Sequence, residues 1–285
     1  MPFRDNALRL IKLRQQHQQH QKHHHQQQLR QQHEQVERRG EGDVRRIVRF
    51  ASIPSVVPIL LCVFLLGVGS AEAQPAPDAG LWTALFAQGD FSGHEEEGSP
   101  WRWAFDGQAR FLEDTNGFNQ SLLRPVIGRS LGSAWTVWLG YAWIRTNPGP
   151  GPESDEHRPF QQLTWSGSFG SLSASSRTRL EQRFVRGNND LAWRFRQFVK
   201  LGYPLGLGTD LRLVGYEELF LNLNDADTGP RSGFDQNRFF AGVAIPVGGS
   251  TDATLELGYL NQFVRSPNSR DRLNHVLSLN LFLNF

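Results

Sequence analysis

The chain has 285 residues, 39% hydrophobic and 20% charged, enough for one or two ordinary domains. Its charge is uneven: the first 73 residues hold 11 of the 30 Lys+Arg and 6 of the 28 Asp+Glu, leaving 19 basic against 22 acidic, a net of −3, beyond them. That balance, with Lys200 the only lysine after residue 73, excludes a general polyanion or nucleic-acid surface, and a single cysteine, Cys62, excludes a disulfide framework.

Residues 1–43 are a Gln/His-rich low-complexity tract with His23-His24-His25 and nearby His17, His20 and His33. No carboxylate or cysteine partner stands at useful spacing, and no core would position the imidazoles, so the tract is read as disordered with adventitious metal affinity only. Met1 is the only methionine, and a start at Val44 would leave the tract untranslated. Residues 44–73 read as a secretory signal: Arg45, Arg46 and Arg49 open it, and Val56 to Gly69 form a 14-residue apolar core. Ala71 and Ala73 then mark a small-x-small cleavage site before Gln74. The competing reading, a retained transmembrane helix, would need an apolar run of about 20 residues. Cys62 lies inside that core behind Leu60-Leu61, a context unsuited to lipidation.

Residues 74–80 read as a short linker. Residues 81–285 then show alternating segments near 81–91, 101–113, 121–131, 134–146, 158–169, 172–185, 191–203, 209–222, 235–247, 252–265 and 273–285, separated by turn residues. In the second, Trp101, Trp103, Phe105 and Phe111 oppose Arg102, Asp106, Gln108 and Arg110; in the sixth, Leu180 and Phe184 oppose Arg177, Arg179, Glu181 and Arg183. In the seventh, Trp193, Phe195, Val199, Leu201 and Tyr203 oppose Arg194, Arg196 and Lys200, and in the ninth Phe239, Ala241, Val243 and Ile245 oppose Gln236 and Arg238. A soluble sandwich also alternates, but segments of about 11 to 14 residues suit a tilted strand crossing a bilayer better than the usual five or six. At the C-terminus Leu277, Leu279, Leu281, Leu283 and Phe285 share one face, the pattern of a closing strand with a terminal aromatic read by barrel-assembly machinery.

The expected fold is therefore an all-β, antiparallel, up-and-down transmembrane barrel in a bacterial outer membrane, reached through a cleaved signal peptide. Threading back from Phe285, 132–133, 169–171, 204–208 and 248–251 become periplasmic turns, and 147–157, 187–190, 222–233 and 266–272 external loops. Eleven segments are visible, but bacterial single-chain barrels close with an even number, so ten or twelve strands are expected.

Arginines facing lipid would cost roughly 2 to 4 kcal/mol each near the midplane, which places the charged face in the lumen. The expected lumen cluster is Arg110, Arg158, Arg177, Arg179, Glu181, Arg183, Arg194, Arg196 and Arg238, with one of Glu217 or Glu218. Such a cluster is either an interlocked plug or an arginine-lined passage for anionic solutes.

The mature region resembles a family of uncharacterised bacterial outer-membrane barrels known only as a domain of unknown function. The resemblance rests on Glu156-His157-Arg158-Pro159-Phe160-Gln161-Gln162, Arg177 to Arg183, Arg194-Phe195-Arg196, Glu217-Glu218-Leu219-Phe220 and Asp235-Gln236-Asn237-Arg238, with Gly140-Tyr141 and Gly258-Tyr259 at strand ends. It implies a fold and a location and no activity.

An alternative is a lipid-modifying hydrolase, which needs a serine, a histidine and an orienting group on the lipid-facing wall. Of the three histidines after residue 73, His94 sits in a loop, His157 begins a strand, and His275 shares the Phe285 face. Ser278 lies on the opposite face from His275, and Ser166 and Ser168 stand about 30 Å or more from His157 at ~3.3 Å per residue. No catalytic residue is assigned. A cation site at Asp225, Asp227 and Asp235 is weighed against a solvated acidic loop, and the loop reading preferred. Gly206-Leu207-Gly208 opens no helix and is a turn. No cofactor or metal is expected; the expected partners are outer-membrane lipid, lipopolysaccharide and the barrel-assembly machinery, with no nucleic acid.

Overall fold

The computed structural model describes residues 75–285 apart from 92–98, 116, 150, 188–189, 207–209, 228–229, 249–251 and 268. The leader with Ala71 and Ala73, and His94, lie outside the described residues.

Eleven strands follow one another: β1 (Ala76–Asp90), β2 (Trp101–Leu112), β3 (Gly117–Leu131), β4 (Trp135–Thr146), β5 (Ser154–Phe169), β6 (Leu172–Val185), β7 (Ala192–Pro204), β8 (Arg212–Asn222), β9 (Gly233–Val247), β10 (Asp252–Val264) and β11 (Arg272–Asn284). The only helical element among the described residues is a 3-10 turn, Glu113–Thr115. Each strand pairs with its sequence neighbour, and β1 pairs with β11 to close the sheet into a barrel. Closure leaves no open edge of unpaired backbone groups.

Two expectations are corrected. The barrel has neither ten nor twelve strands but eleven, and it is not wholly antiparallel. In an up-and-down chain an odd count makes the first and last strands run the same way, and β1 and β11 pair in parallel from Ala76↔Arg272 to Gln88↔Asn284. Evenly spaced, slanted parallel hydrogen bonds complete that seam, while the other ten pairs are antiparallel. The second correction follows from the first: residues 76–80, expected as linker, belong to β1 and pair with Arg272 to Val276.

Ala76 and Phe285 therefore lie at opposite rims. The rim bearing Phe285 carries three of the shortest connections, among them the two-residue Gly170-Ser171 hairpin, where Gly170 has φ 60° and a side chain would be strained, together with the ten-residue connection 91–100. The other rim bears Ala76. Strands of 11 to 16 residues run between them.

Alternation along every strand sends one set of side chains to the lumen and the other outward. Inward apolar residues form two clusters: Trp82, Val214, Phe240, Ala244, Leu260 and Val276 with Tyr216, and Leu122, Ala142, Ile144 and Phe160 with Val126. Inward Gly140 makes room for one of these rings, since a Cβ there would lie 2.2 Å from Phe160 Cζ. Two bulges interrupt the ladder, and the second leaves Asp235 without a partner position between Phe234 and Gln236. A bulge re-aims a side chain, and here it lets the Asp235 carboxylate reach Arg194 at 3.2 Å.

Candidate functional site

The lumen between the two apolar clusters is filled by charge. The central acceptor is Glu181 of β6, whose two oxygens take hydrogen bonds from Arg194 Nε and Nη2 (3.0 and 2.7 Å), Arg196 Nη1 (2.6 Å) and Arg179 Nη1 (3.5 Å). A second acceptor, Glu218 of β8, receives Arg177 (2.8 Å) and Arg196 (2.6 Å) on one oxygen, with Arg238 at 3.8 Å from the other. Towards the Ala76 rim, Glu156 of β5 binds Arg158 through two nitrogens (2.6 and 2.5 Å) and Arg183 through its Nε (2.6 Å). Bidentate guanidinium–carboxylate pairs of this kind are geometrically selective as well as strong.

Inward aromatic rings carry the flat faces of the same arginines. Guanidinium carbons lie over Trp82 (Arg110 at 4.1 Å, Arg238 at 5.0 Å), Phe220 (Arg196 at 4.4 Å, Arg238 at 4.7 Å), Phe160 (Arg179 at 4.0 Å) and Phe198 (Arg177 at 4.6 Å). Planar, weakly hydrated guanidinium suits this double use, ring below and carboxylate at the edge. Every predicted lumen residue, from Arg110 on β2 to Arg238 on β9, takes part in this lattice or in the Glu156 group beside it. Of the two adjacent glutamates left open by the sequence, Glu218 faces inward and is 3% exposed, whereas Glu217 faces outward and accepts a hydrogen bond from Asn237 at 2.9 Å.

Several members were not among the predicted lumen residues. Arg124 of β3 pairs with Asp106 of β2 at 2.5 Å, yet its strand alternates Leu122-Leu123-Arg124-Pro125 with no consistently polar face. Gln162 accepts two hydrogen bonds from Arg179 (2.9 and 2.6 Å), and Gln108 and Gln120 receive Arg110 (2.7 and 2.8 Å). Lys200 reaches Glu256 across the lumen below the lattice. Among the described residues the buried donors Trp82 Nε1 and the Nε of Arg110, Arg124, Arg177 and Arg238 have no protein acceptor.

The described histidines both sit on the outer wall, each against a tyrosine hydroxyl: His157 with Tyr141, and His275 with Tyr259 at 2.6 Å, where Asn261 also donates to the Tyr259 oxygen at 3.2 Å. Ser278 is buried in the lumen, and Ser166 and Ser168 share the inward register of β5, so none meets these imidazoles. Asp225 accepts from the Ser232 amide (2.7 Å), the Asp227 amide donates to Asp190 (3.1 Å), and Asp235 serves Arg194; no group of three metal-ligating side chains exists among the described residues. Leu277, Leu279, Leu281 and Leu283 face outward along β11, and the backbone N–H of Phe285 donates to Gln88 at 2.9 Å, tying the last residue to β1.

Residues 79–274 match the family described as a protein of unknown function, DUF2490. An uncharacterized protein of Methylorubrum extorquens is 36% identical over 230 residues, covering 79% of this chain and 95% of that protein. Among solved structures, LpxR from Salmonella typhimurium matches 61% of this chain and 81% of its own at 8% identity, with a TM-score of 0.36. The chain belongs to the DUF2490 family.

Proposed function

We propose that this chain is a non-enzymatic barrel of a bacterial outer membrane, exported by a leader cleaved after Ala73 and sealed inside by its arginine–glutamate–aromatic lattice. The observation that carries the sealed interior is Glu181, 1% exposed and held by three arginines that are themselves 3 to 4% exposed. A solute-conducting passage would leave such groups wet.

The membrane location is supported by the outer wall. Its exposed residues include Leu85, Leu123, Ile127, Leu139, Leu257 and Leu279 at mid-height, with Trp101, Trp135, Phe169 and Tyr203 near the Phe285 rim and Phe118 and Phe184 near the other. An apolar band between aromatic girdles is what lipid requires. Lipid, lipopolysaccharide and the assembly machinery are its partners in this reading, and the Phe285 rim faces the periplasm.

The test is single-channel recording of the refolded Gln74 to Phe285 barrel in a planar bilayer, with folding verified by a heat-dependent gel shift. A silent membrane is expected. Steady conductance whose anion preference falls in Arg179→Ala would replace the plug with an arginine-lined passage. A lipid-modifying enzyme is the second reading, favoured by the outward Asn261–Tyr259–His275 group, and a mass change in lipid A or phospholipid incubated with the barrel, lost in His275→Ala, would establish it.

A further inference from the structure

The outer wall is not uniform. At the middle of four consecutive strands, β5 to β8, the outward positions include Gln161, Thr178, Gln197 and Glu217, paired across the strands with Leu180, Leu163, Leu219 and Val199, while β3, β4, β10 and β11 present Leu123, Leu139, Leu257 and Leu279 near mid-strand with no such polar group. These groups bind one another only in part. Thr178 donates to the Gln197 side-chain oxygen (2.7 Å), the Gln197 amide donates to Ser176 Oγ (2.9 Å) and the Phe198 carbonyl (3.2 Å), Gln161 exchanges hydrogen bonds with Gln182 (3.3 and 3.0 Å), and Asn237 donates to one oxygen of Glu217 (2.9 Å).

We infer that this polar sector is where a second copy of the chain docks within the bilayer, an inference that rests on the membrane location proposed above. Acyl chains offer neither donors nor acceptors, so a carboxyl and several amides at mid-height are poorly matched to lipid, and polar residues in membrane spans characteristically face protein instead. The sector is self-complementary: it carries a carboxyl at Glu217 and amide donors at Gln161 and Asn237, each of which gives only one hydrogen bond among the described residues. Related by a two-fold axis along the membrane normal, the acceptors of one barrel meet the donors of the other in an isologous contact. Interhelical amide and carboxyl hydrogen bonds hold membrane helices together by the same chemistry.

Beyond Cys62 the chain has no cysteine, which makes thiol cross-linking clean. In the full chain carrying Cys62→Ser and expressed in bacterial outer membranes, Gln161→Cys or Gln197→Cys should oxidise to a disulfide-linked species of twice the monomer mass, and Leu85→Cys or Leu279→Cys on the far wall should not. Adding Glu217→Leu to Gln161→Cys should lower the dimer yield at least several-fold while leaving the heat-dependent gel shift intact. Equal cross-linking at all four positions, a partner of different mass, or no cross-link in protein that resists carbonate extraction would overturn the dimer and leave the location standing. Extraction by carbonate would overturn the location, and the dimer with it.

Discussion

Replacing Glu181 by glutamine keeps the volume and one acceptor oxygen but removes the charge that three guanidiniums share. Deleting one partner of a buried ion pair generally costs about 3 to 5 kcal/mol, because the survivor is left charged in a poor solvent. Here two of the three survivors have a second carboxylate, Asp235 for Arg194 (3.2 Å) and Glu218 for Arg196 (2.6 Å), and Arg179 keeps Gln162. The loss belongs at the low end, about 3 kcal/mol, or roughly a hundredfold in the folding equilibrium. Glu217→Gln is the matched control: the same chemical change on the outer wall of β8, touching a single hydrogen bond worth about 1 kcal/mol. Urea unfolding of the refolded barrel in lipid vesicles, followed by tryptophan fluorescence and cold-gel mobility, measures both. If Glu181→Gln lies within about 1 kcal/mol of the wild type, or is milder than Glu217→Gln, the lattice does not hold the barrel together and the sealed-interior argument fails.

Three further outcomes follow from the geometry. Gly140→Ala places its Cβ 2.2 Å from Phe160 Cζ and 2.3 Å from Val126 Cγ1, and should destabilise by about 1 to 3 kcal/mol in the same unfolding assay, whereas Gly248→Ala, with nothing within 4 Å, should leave the midpoint unchanged. Deleting Phe285 removes the N–H bond to Gln88 and the ring 5.8 Å from Trp103, and should sharply reduce the heat-shiftable folded fraction recovered from outer membranes. An epitope inserted just before Ala76 should be labelled by antibody on intact cells, and one after Phe285 only after permeabilisation, because β1 and β11 run in parallel; labelling of both tags from the same side would refute the odd-stranded topology, and the reverse result only the orientation.

Strand periodicity made most of the wall legible, because a period of two separates faces cleanly wherever one is charged, as in Arg177-Thr178-Arg179-Leu180-Glu181. It failed where both faces look alike. Glu217 and Glu218 are adjacent and identical, so only the pairing of Glu218 with Arg238 across β8 and β9 decides which one enters the lumen. Phe160, Phe220 and Phe240 are at most 1% exposed, yet expecting a barrel in lipid invites every large aromatic to be read as outward. The lattice needs these rings inside, and nothing in composition marks a phenylalanine as the floor beneath a guanidinium. The linker reading gives way at 76–80 for another reason: Pro75 and Pro77 suggest a break, but Pro77 lies where β1 pairs with β11 alone, before β2 joins at Gly80, and an edge position tolerates a residue without an N–H.

The odd closure and the charged interior are connected through Trp82. Near the parallel seam the inward faces of β1 and β11 carry Trp82, Val276 and Ser278, and the buried acid of that face, Asp78, accepts from the Asp114 amide at 3.3 Å. Trp82 is gripped from two sides, by Arg110 of the adjoining strand β2 and by Arg238, which reaches from β9 across β10 and β11. Arg238 in turn lies against Glu218 and over Phe220, the ring that also bears Arg196. The lattice thus begins at Glu181 and Glu218 on the far wall and ends on the strand whose pairing is parallel and slightly weaker per residue. Two cations over one indole give the strand at the parallel seam a side-chain anchor for its register beside its backbone ladder.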